Sequence, residues 1–310
     1  IDSSCTFTGS SVGALSVSLN GSLVVKHTTN YAAVTGYINT GGFIGFMKGL
    51  KQATVISFED CVNDGNVTGN GNWVGGFLGF IDGNTNVTMT ISKSNNSGNV
   101  TGGQNIVGGF AGSISSNTIM AMTIDNSQNN GFVTGANMVG GLVGYILSSD
   151  TNMTITLSNS TNKGSITGSL YAGGFVGYVS DSKNMTMTIS NSINNGNVTG
   201  GNYVAGFVGY ISLMPQSTSI TLNVINSANK GIASSTQGTA CGFVCVNSQN
   251  KNNVKTTVKN SINKGSVNAG TNGYGITNII TVARNVVSMG DVIGPSGSFT
   301  FWETSTDVDL

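Results

Sequence analysis

Charge is scarce in this chain. Only 8% of its 310 residues are charged, and basic and acidic residues balance at 12 each. No basic stripe exists to neutralise phosphates, so the composition argues against nucleic-acid binding. Proline is scarcer still, with two residues. That favours unbroken strands, because each proline removes one N–H from a ladder. Four cysteines (Cys5, Cys61, Cys241 and Cys245) do not make a disulfide scaffold in a chain of this length. No apolar run approaches the roughly 18 residues of a membrane span. Val139 to Leu147 is among the longest, and glycines interrupt it. The chain starts at Ile1 without a signal-peptide pattern, and the expectation is a mature or trimmed fragment.

What the chain has is repetition. Val139-Gly140-Gly141-Leu142-Val143-Gly144-Tyr145-Ile146 returns as near-copies, among them Gly75-Gly76-Phe77-Leu78-Gly79-Phe80 and Gly173-Gly174-Phe175-Val176-Gly177-Tyr178. The second glycine of each copy falls at Gly42, Gly76, Gly109, Gly141, Gly174, Gly206, Gly242 and, in degraded form, Gly275. The step is about 33 residues, a period that signals a solenoid or a propeller. The 38% hydrophobic residues sit at periodic places, which disordered chains lack.

Each unit has three parts. The glycine-rich strand comes first. An alternating run follows, such as Met153-Thr154-Ile155-Thr156-Leu157 or Met185-Thr186-Met187-Thr188-Ile189. Strict alternation puts Met, Ile and Leu on one face and Thr on the other. The third part is an Asn/Ser/Gly turn leading into a short strand, as in Asn195-Gly196-Asn197-Val198-Thr199-Gly200. Apolar residues recur at two rather than at three or four, which excludes helices. The fold class read from this is all-β: a parallel β-helix, or β-solenoid, of about eight coils with three short strands per coil. Parallel stacking at about 4.8 Å per coil gives a rod roughly 40 Å tall. A propeller is the rival, but it needs four strands per blade. Residues 1–36 read as an irregular opening coil or cap, 37–270 as the regular repeats, and 271–310 as a degraded last coil with a cap in which Phe299, Phe301 and Trp302 cover the core.

The sequence Gly-Gly-Leu/Phe-Val-Gly, followed by an Asn/Ser strand and a Gly-Asn-Val-Thr-Gly corner, resembles the GLUG-motif repeats. Val139–Gly144 matches the eponymous pattern best, and most other copies carry Phe for Leu. The resemblance covers roughly Gly41 to Gly270. It implies a β-solenoid segment of a large secreted or surface protein of bacteria or protists, a stalk or an adhesin. It carries no catalytic residues.

The search for chemistry on the residues themselves is short. Acids on neighbouring coils would be needed for a solenoid glycosidase or lyase, but Asp82, Asp150 and Asp181 follow the glycine-rich strand at different offsets. Glu59, Asp60 and Asp64 cluster near Cys61 and read as a polar corner. His27 is the only histidine and has no acid beside it in sequence. Asp82-Gly83-Asn84-Thr85-Asn86 mimics the start of a calcium loop, but Lys93 stands where a bidentate acid is required. Cys241 and Cys245 lie four apart on an expected strand, too far to bridge if extended, and read as buried thiols. Cys5 and Cys61 are open to pairing within or between chains. The expectation is no enzyme, no cofactor and no metal.

Surface features remain. Sequons stand at Asn20, Asn66, Asn86, Asn95, Asn99, Asn152, Asn159, Asn184 and Asn197. A secretory pathway would place glycans there, in rows, because Asn66, Asn99 and Asn197 share one repeat position and Asn86, Asn152 and Asn184 another. Thr88/Thr90, Thr154/Thr156 and Thr186/Thr188 form a threonine ladder with Ala121/Thr123 and Ser219/Thr221 as imperfect rungs. It is first a set of exposed strand residues, and remotely an ice-binding face. Tyr145, Tyr178 and Tyr210 recur at one position, first as a packing ladder and second as a sugar-stacking stripe. The functional expectation is an extracellular or cell-surface structural protein, a stalk or fibre subunit. It would be glycan-coated and self-assembling end to end or laterally, with open strand edges as templates. An adhesin or a carbohydrate-binding or carbohydrate-active β-helix is the alternative.

Overall fold

A computed structural model of the chain describes residues 1–48, 53–83, 86–104, 106–116, 120–148, 153–180, 184–213, 219–247, 249, 253–278, 282–294 and 299–300. The chain is a β-solenoid with a spacing of about 33 residues per turn. Strand pairing among the described residues is parallel, and each position meets its own counterpart one turn on, as in Val67↔Val100 and Met89↔Met122. The sheets hold ten, sixteen, ten and eight strands. The stack has about seven turns, close to the eight coils expected from the glycine positions. Strands of the eight-stranded sheet follow Gly42 to Gly242, whereas Gly275 is followed only by the isolated bridge Val244↔Thr277.

Each regular turn carries five strands, not three. In one turn they are Val100–Gly102, Ile106–Gly108, Ala111–Ser116, Met120–Asp125 and Gln128–Asn129. Two bends divide what alternation alone joins together. The Gly-Gly pair bends the glycine-rich stretch into two strands, so Met138–Gly140 and Val143–Ser148 belong to different sheets. A second bend ends the alternating run at a residue with φ between 47° and 53°: His27, Asp60, Lys93, Asn126, Asn159, Asn191, Asn226 and Asn260. Asparagine tolerates this left-handed conformation better than most residues, which accounts for its return at that corner.

The bends split the interior into two cores. The larger lies between the eight-stranded sheet and the alternating strands. Phe43, Phe77 and Phe110 stack along its axis with ring centroids 4.9 Å apart, facing Met89, Met122, Ile155 and Met187. The smaller joins the two ten-stranded sheets through Val34, Val67, Val100 and Val133 against Val74, Val107 and Val139. Fully burying each such side chain is worth about 1.5–3 kcal/mol. Threonines of the alternating run face outward, as expected: Met153–Ser158 alternates buried and open positions along its whole length.

Glycine at Gly141 has a packing reason. A Cβ there would collide with the Gly174 carbonyl of the next turn and with the Asn162 side chain. No left-handed φ is involved; the bend is pressed against its neighbours.

The opening residues pair directly with the repeat, Thr6–Gly9 against Ala33–Gly36. At the other end, Phe299–Thr300 pairs with Gly273–Tyr274. Phe301 and Trp302 lie outside the described residues.

Candidate functional site

The interior contains a ladder of side-chain amides just ahead of the Asn/Ser/Gly turns. Asn30, Asn63, Asn96, Asn129, Asn162, Asn194, Asn229 and Asn263 are fully buried. Each Nδ2 donates to the Oδ1 of the next, at 2.7–2.9 Å. Beyond Asn30, the same Nδ2 also donates to the carbonyl two residues on, always a glycine, as from Asn96 to Gly98 at 2.9 Å. At the far end Asn263 donates to Ser288 Oγ at 3.3 Å. The ladder works because parallel in-register stacking puts identical amides one above another with donor facing acceptor. The signal was present in the sequence: asparagine at one fixed phase of every repeat. A serine ladder runs beside it, in which the backbone N–H of Ser94 donates to Ser127 Oγ at 3.1 Å and that of Ser127 to Ser160 Oγ at 3.2 Å.

Cys61 occupies a rung of the serine ladder, its N–H donating to Ser94 Oγ. It is buried and free, whereas Cys5 is exposed and free, so these two do not pair with each other. Burial pushes the Cys61 thiol up from its ordinary range. Cys241 and Cys245 are not thiols. They form a disulfide with Cα atoms 5.7 Å apart. The expectation of a straight strand fails because Gly242-Phe243 bends the chain between Thr239–Cys241 and Val244–Val246. The two cysteines replace the pair that is Gly140 and Gly144 in an earlier turn, and the bridge spans the bend.

Glu59, Asp60 and Asp125 lie at the corner that ends the alternating run. Glu59 lies between Lys26 (2.7 Å) and Lys93 (3.5 Å), and the Lys26 ammonium lowers its pKa. His27 Nδ1 stands 2.9 Å from Asp60 Oδ2, one turn away, with both side chains largely exposed. The partner absent from the sequence around His27 is thus supplied by stacking. Asp125 accepts from Ser158 Oγ at 2.6 Å and from Asn159 Nδ2 at 2.7 Å. Asp64 is exposed and Asp82 half-buried; Asp150 and Asp181 lie outside the described residues. Asn84 and Thr85 of the calcium-like segment do too, and Lys93 faces Glu59. No group of three metal-ligating side chains occurs among the described residues, and no helix there is long and apolar enough to cross a membrane.

The threonine ladder is a regular surface. Thr88, Ala121, Thr154, Thr186 and Thr221 form one column, and Thr90, Thr123, Thr156, Thr188 and Asn223 the next, in unbroken register. A shallow polar depression of about 300 Å³ opens at its edge, lined by Thr154, Thr186, Thr221, Asn184 and Ser219 with Met153 and Met185. Of the sequon asparagines, Asn20, Asn66, Asn86, Asn99, Asn159, Asn184 and Asn197 are exposed. Asn95 is half-buried and donates to Ser97 Oγ. Asn152 lies outside the described residues.

The tyrosine column is denser than its spacing suggested. Tyr145, Tyr178 and Tyr210 stack at 5.4 Å intervals, tilted by 10°. Tyr171 and Tyr203, from the neighbouring sheet, interleave with them: Tyr171 lies 5.1 Å from Tyr178 and 4.9 Å from Tyr210, and Tyr203 lies 4.1 Å from Tyr210. Tyr145 Oη and Ser180 Oγ are 2.5 Å apart. Burial raises the pKa of Tyr171 and, more strongly, of Tyr210. Near-parallel rings one turn apart cover one another's faces, which favours packing over sugar stacking. Trp73, Phe46 and Phe80 form a second such group lower on the rod, without hydroxyls.

Comparison with known proteins gave no counterpart: no family model, no curated protein and no solved structure matched the chain.

Proposed function

We propose that the chain is a structural segment of an extracellular or cell-surface protein, a stalk or fibre subunit of the GLUG-repeat type, without enzymatic activity. One observation carries this reading. An unbroken hydrogen-bonded ladder of eight buried asparagines runs along the rod. Such a ladder ties every turn to the next and suits an element whose work is to hold a length. The buried Cys241–Cys245 bridge agrees with an oxidising compartment. The low-charge Thr/Asn/Ser exterior agrees with a glycan-bearing surface at the exposed sequons. Self-association, end to end or side by side, completes the proposal.

Immunogold electron microscopy of native material tests it. Label on rods or fibres outside the cell, with glycopeptides at the exposed sequons, supports the proposal. Label confined to the cytosol overturns it.

A second reading rests on the threonine columns, whose register gives an uncharged grid of hydroxyl and methyl groups. That grid suits binding to an ordered surface, such as ice. An ice-recrystallisation assay on the purified chain decides it: growth at the rate seen with an inert protein rules it out. For the carbohydrate-binding alternative, a glycan array is the matching test.

A further inference from the structure

Five of the eight tyrosines of the chain are gathered in one patch. We propose that Tyr145, Tyr171, Tyr178, Tyr203 and Tyr210 are an oxidative cross-linking site, at which a peroxidase-type oxidant joins tyrosines of neighbouring turns as dityrosine.

The argument is proximity. Oxidation of a phenol by one electron and loss of its proton leaves a phenoxyl radical with spin on the ring carbons ortho to oxygen. Two such radicals couple when ortho carbons meet. In solution that meeting is bimolecular; here the rings are already held with centroids 4.1–5.4 Å apart. Holding reactants in contact replaces a bimolecular step by an intramolecular one. The site is reachable, since Tyr145, Tyr171, Tyr178 and Tyr203 are only partly buried while Tyr210 is 8% exposed. The balance is simple. Two phenols give up two hydrogen atoms to one hydrogen peroxide, which leaves as two waters. A carbon–carbon bond forms between the two ortho positions, and each ortho hydrogen then moves to oxygen to restore the phenol. Each link covalently staples one turn to itself or to the next.

The molecule supplies its own control. Tyr31 and Tyr37 are more exposed, at 53% and 56%, and neither stacks on another tyrosine among the described residues. Chemistry governed by exposure alone would act there and join separate molecules.

The test treats dilute full chain with a haem peroxidase and hydrogen peroxide, then reads dityrosine fluorescence across a sizing column and maps links by mass spectrometry. The expected result is dityrosine in the monomer fraction, with links among the five patch tyrosines. Replacing four of them, Tyr171→Phe, Tyr178→Phe, Tyr203→Phe and Tyr210→Phe, is expected to abolish that signal. Phenylalanine fits the column of Tyr178 and Tyr210, because Phe46 and Phe80 already occupy it in earlier turns. The column of Tyr171 and Tyr203 already holds apolar Trp73, Ile106 and Met138. Absence of dityrosine, links only between Tyr31 or Tyr37 of separate molecules, or a signal that survives in the folded fourfold variant would overturn the proposal. If the variant does not fold, the map of the unaltered chain decides. Because the readout is chemistry on the purified chain, its outcome is independent of where the rod resides.

Discussion

Asn129 donates through Nδ2 to Oδ1 of Asn162 at 2.8 Å, although the two residues are 33 apart in the chain. Asn129 Oδ1 in turn accepts from Asn96, and its Nδ2 also holds the Gly131 carbonyl at 3.0 Å. One side chain therefore secures three turns.

Removing it leaves Asn96 Nδ2 and Asn162 Oδ1 buried without this partner. Each such orphan costs about 1–3 kcal/mol. Asn129→Ala is therefore expected to destabilise the rod by about 2–5 kcal/mol in denaturant unfolding. Asn130→Ala, the exposed neighbour, is expected to change stability by less than about 0.5 kcal/mol. Equal effects of the two would mean that the ladder contributes nothing.

Thr40 offers the opposite case. It is fully buried, its Oγ1 has no hydrogen-bond partner among the described residues, and its counterpart in the next turn is Val74. Replacing an unsatisfied hydroxyl by a methyl of similar shape removes a desolvation cost. Thr40→Val is expected to raise stability by about 1–2 kcal/mol, read as a higher midpoint at unchanged slope.

Cys61 should give stability an alkaline limit. Its folded-state pKa is raised above the ordinary value of 9.0, chiefly by burial. A raised pKa means that the fold favours the neutral thiol. That contribution is fully present below pH 9 and fades as pH climbs through the higher folded value. Cys61→Ser, which restores the residue found at Ser94 and Ser127, is expected to remove this loss. Under native conditions a thiol reagent should label Cys5 and spare Cys61; rapid labelling of both at neutral pH would contradict the burial.

The Cys241–Cys245 bridge closes a short loop, for which the chain-entropy relation gives about 2 kcal/mol. Reduction is expected to lower the unfolding midpoint accordingly. A Cys241→Ala, Cys245→Gly variant copies Ala205 and Gly209 of the preceding turn and should no longer respond to reductant. A midpoint indifferent to reductant in the native chain would remove the bridge from the account.

The sequence by itself determined the solenoid and its period. It also settled which residues of the alternating run face inward. Strand periodicity of two leaves no choice there, since shifting Met153–Ser158 by one residue would bury threonine and expose Met153, Ile155 and Leu157. The tertiary structure decided the rest, for one recurring reason. Parallel stacking makes neighbours of residues about 33 positions apart, and the two bends make neighbours of residues that a straight strand would separate. The first effect made an internal ladder of asparagines that lie far apart in sequence and gave His27 its carboxylate. The second made five strands out of three, brought Cys241 against Cys245, and set Tyr171 against Tyr178 and Tyr210, and Tyr203 against Tyr210, from another sheet. Alternation reports the side of a strand a residue occupies. Which residues meet across a bend depends on backbone geometry that only the folded chain fixes.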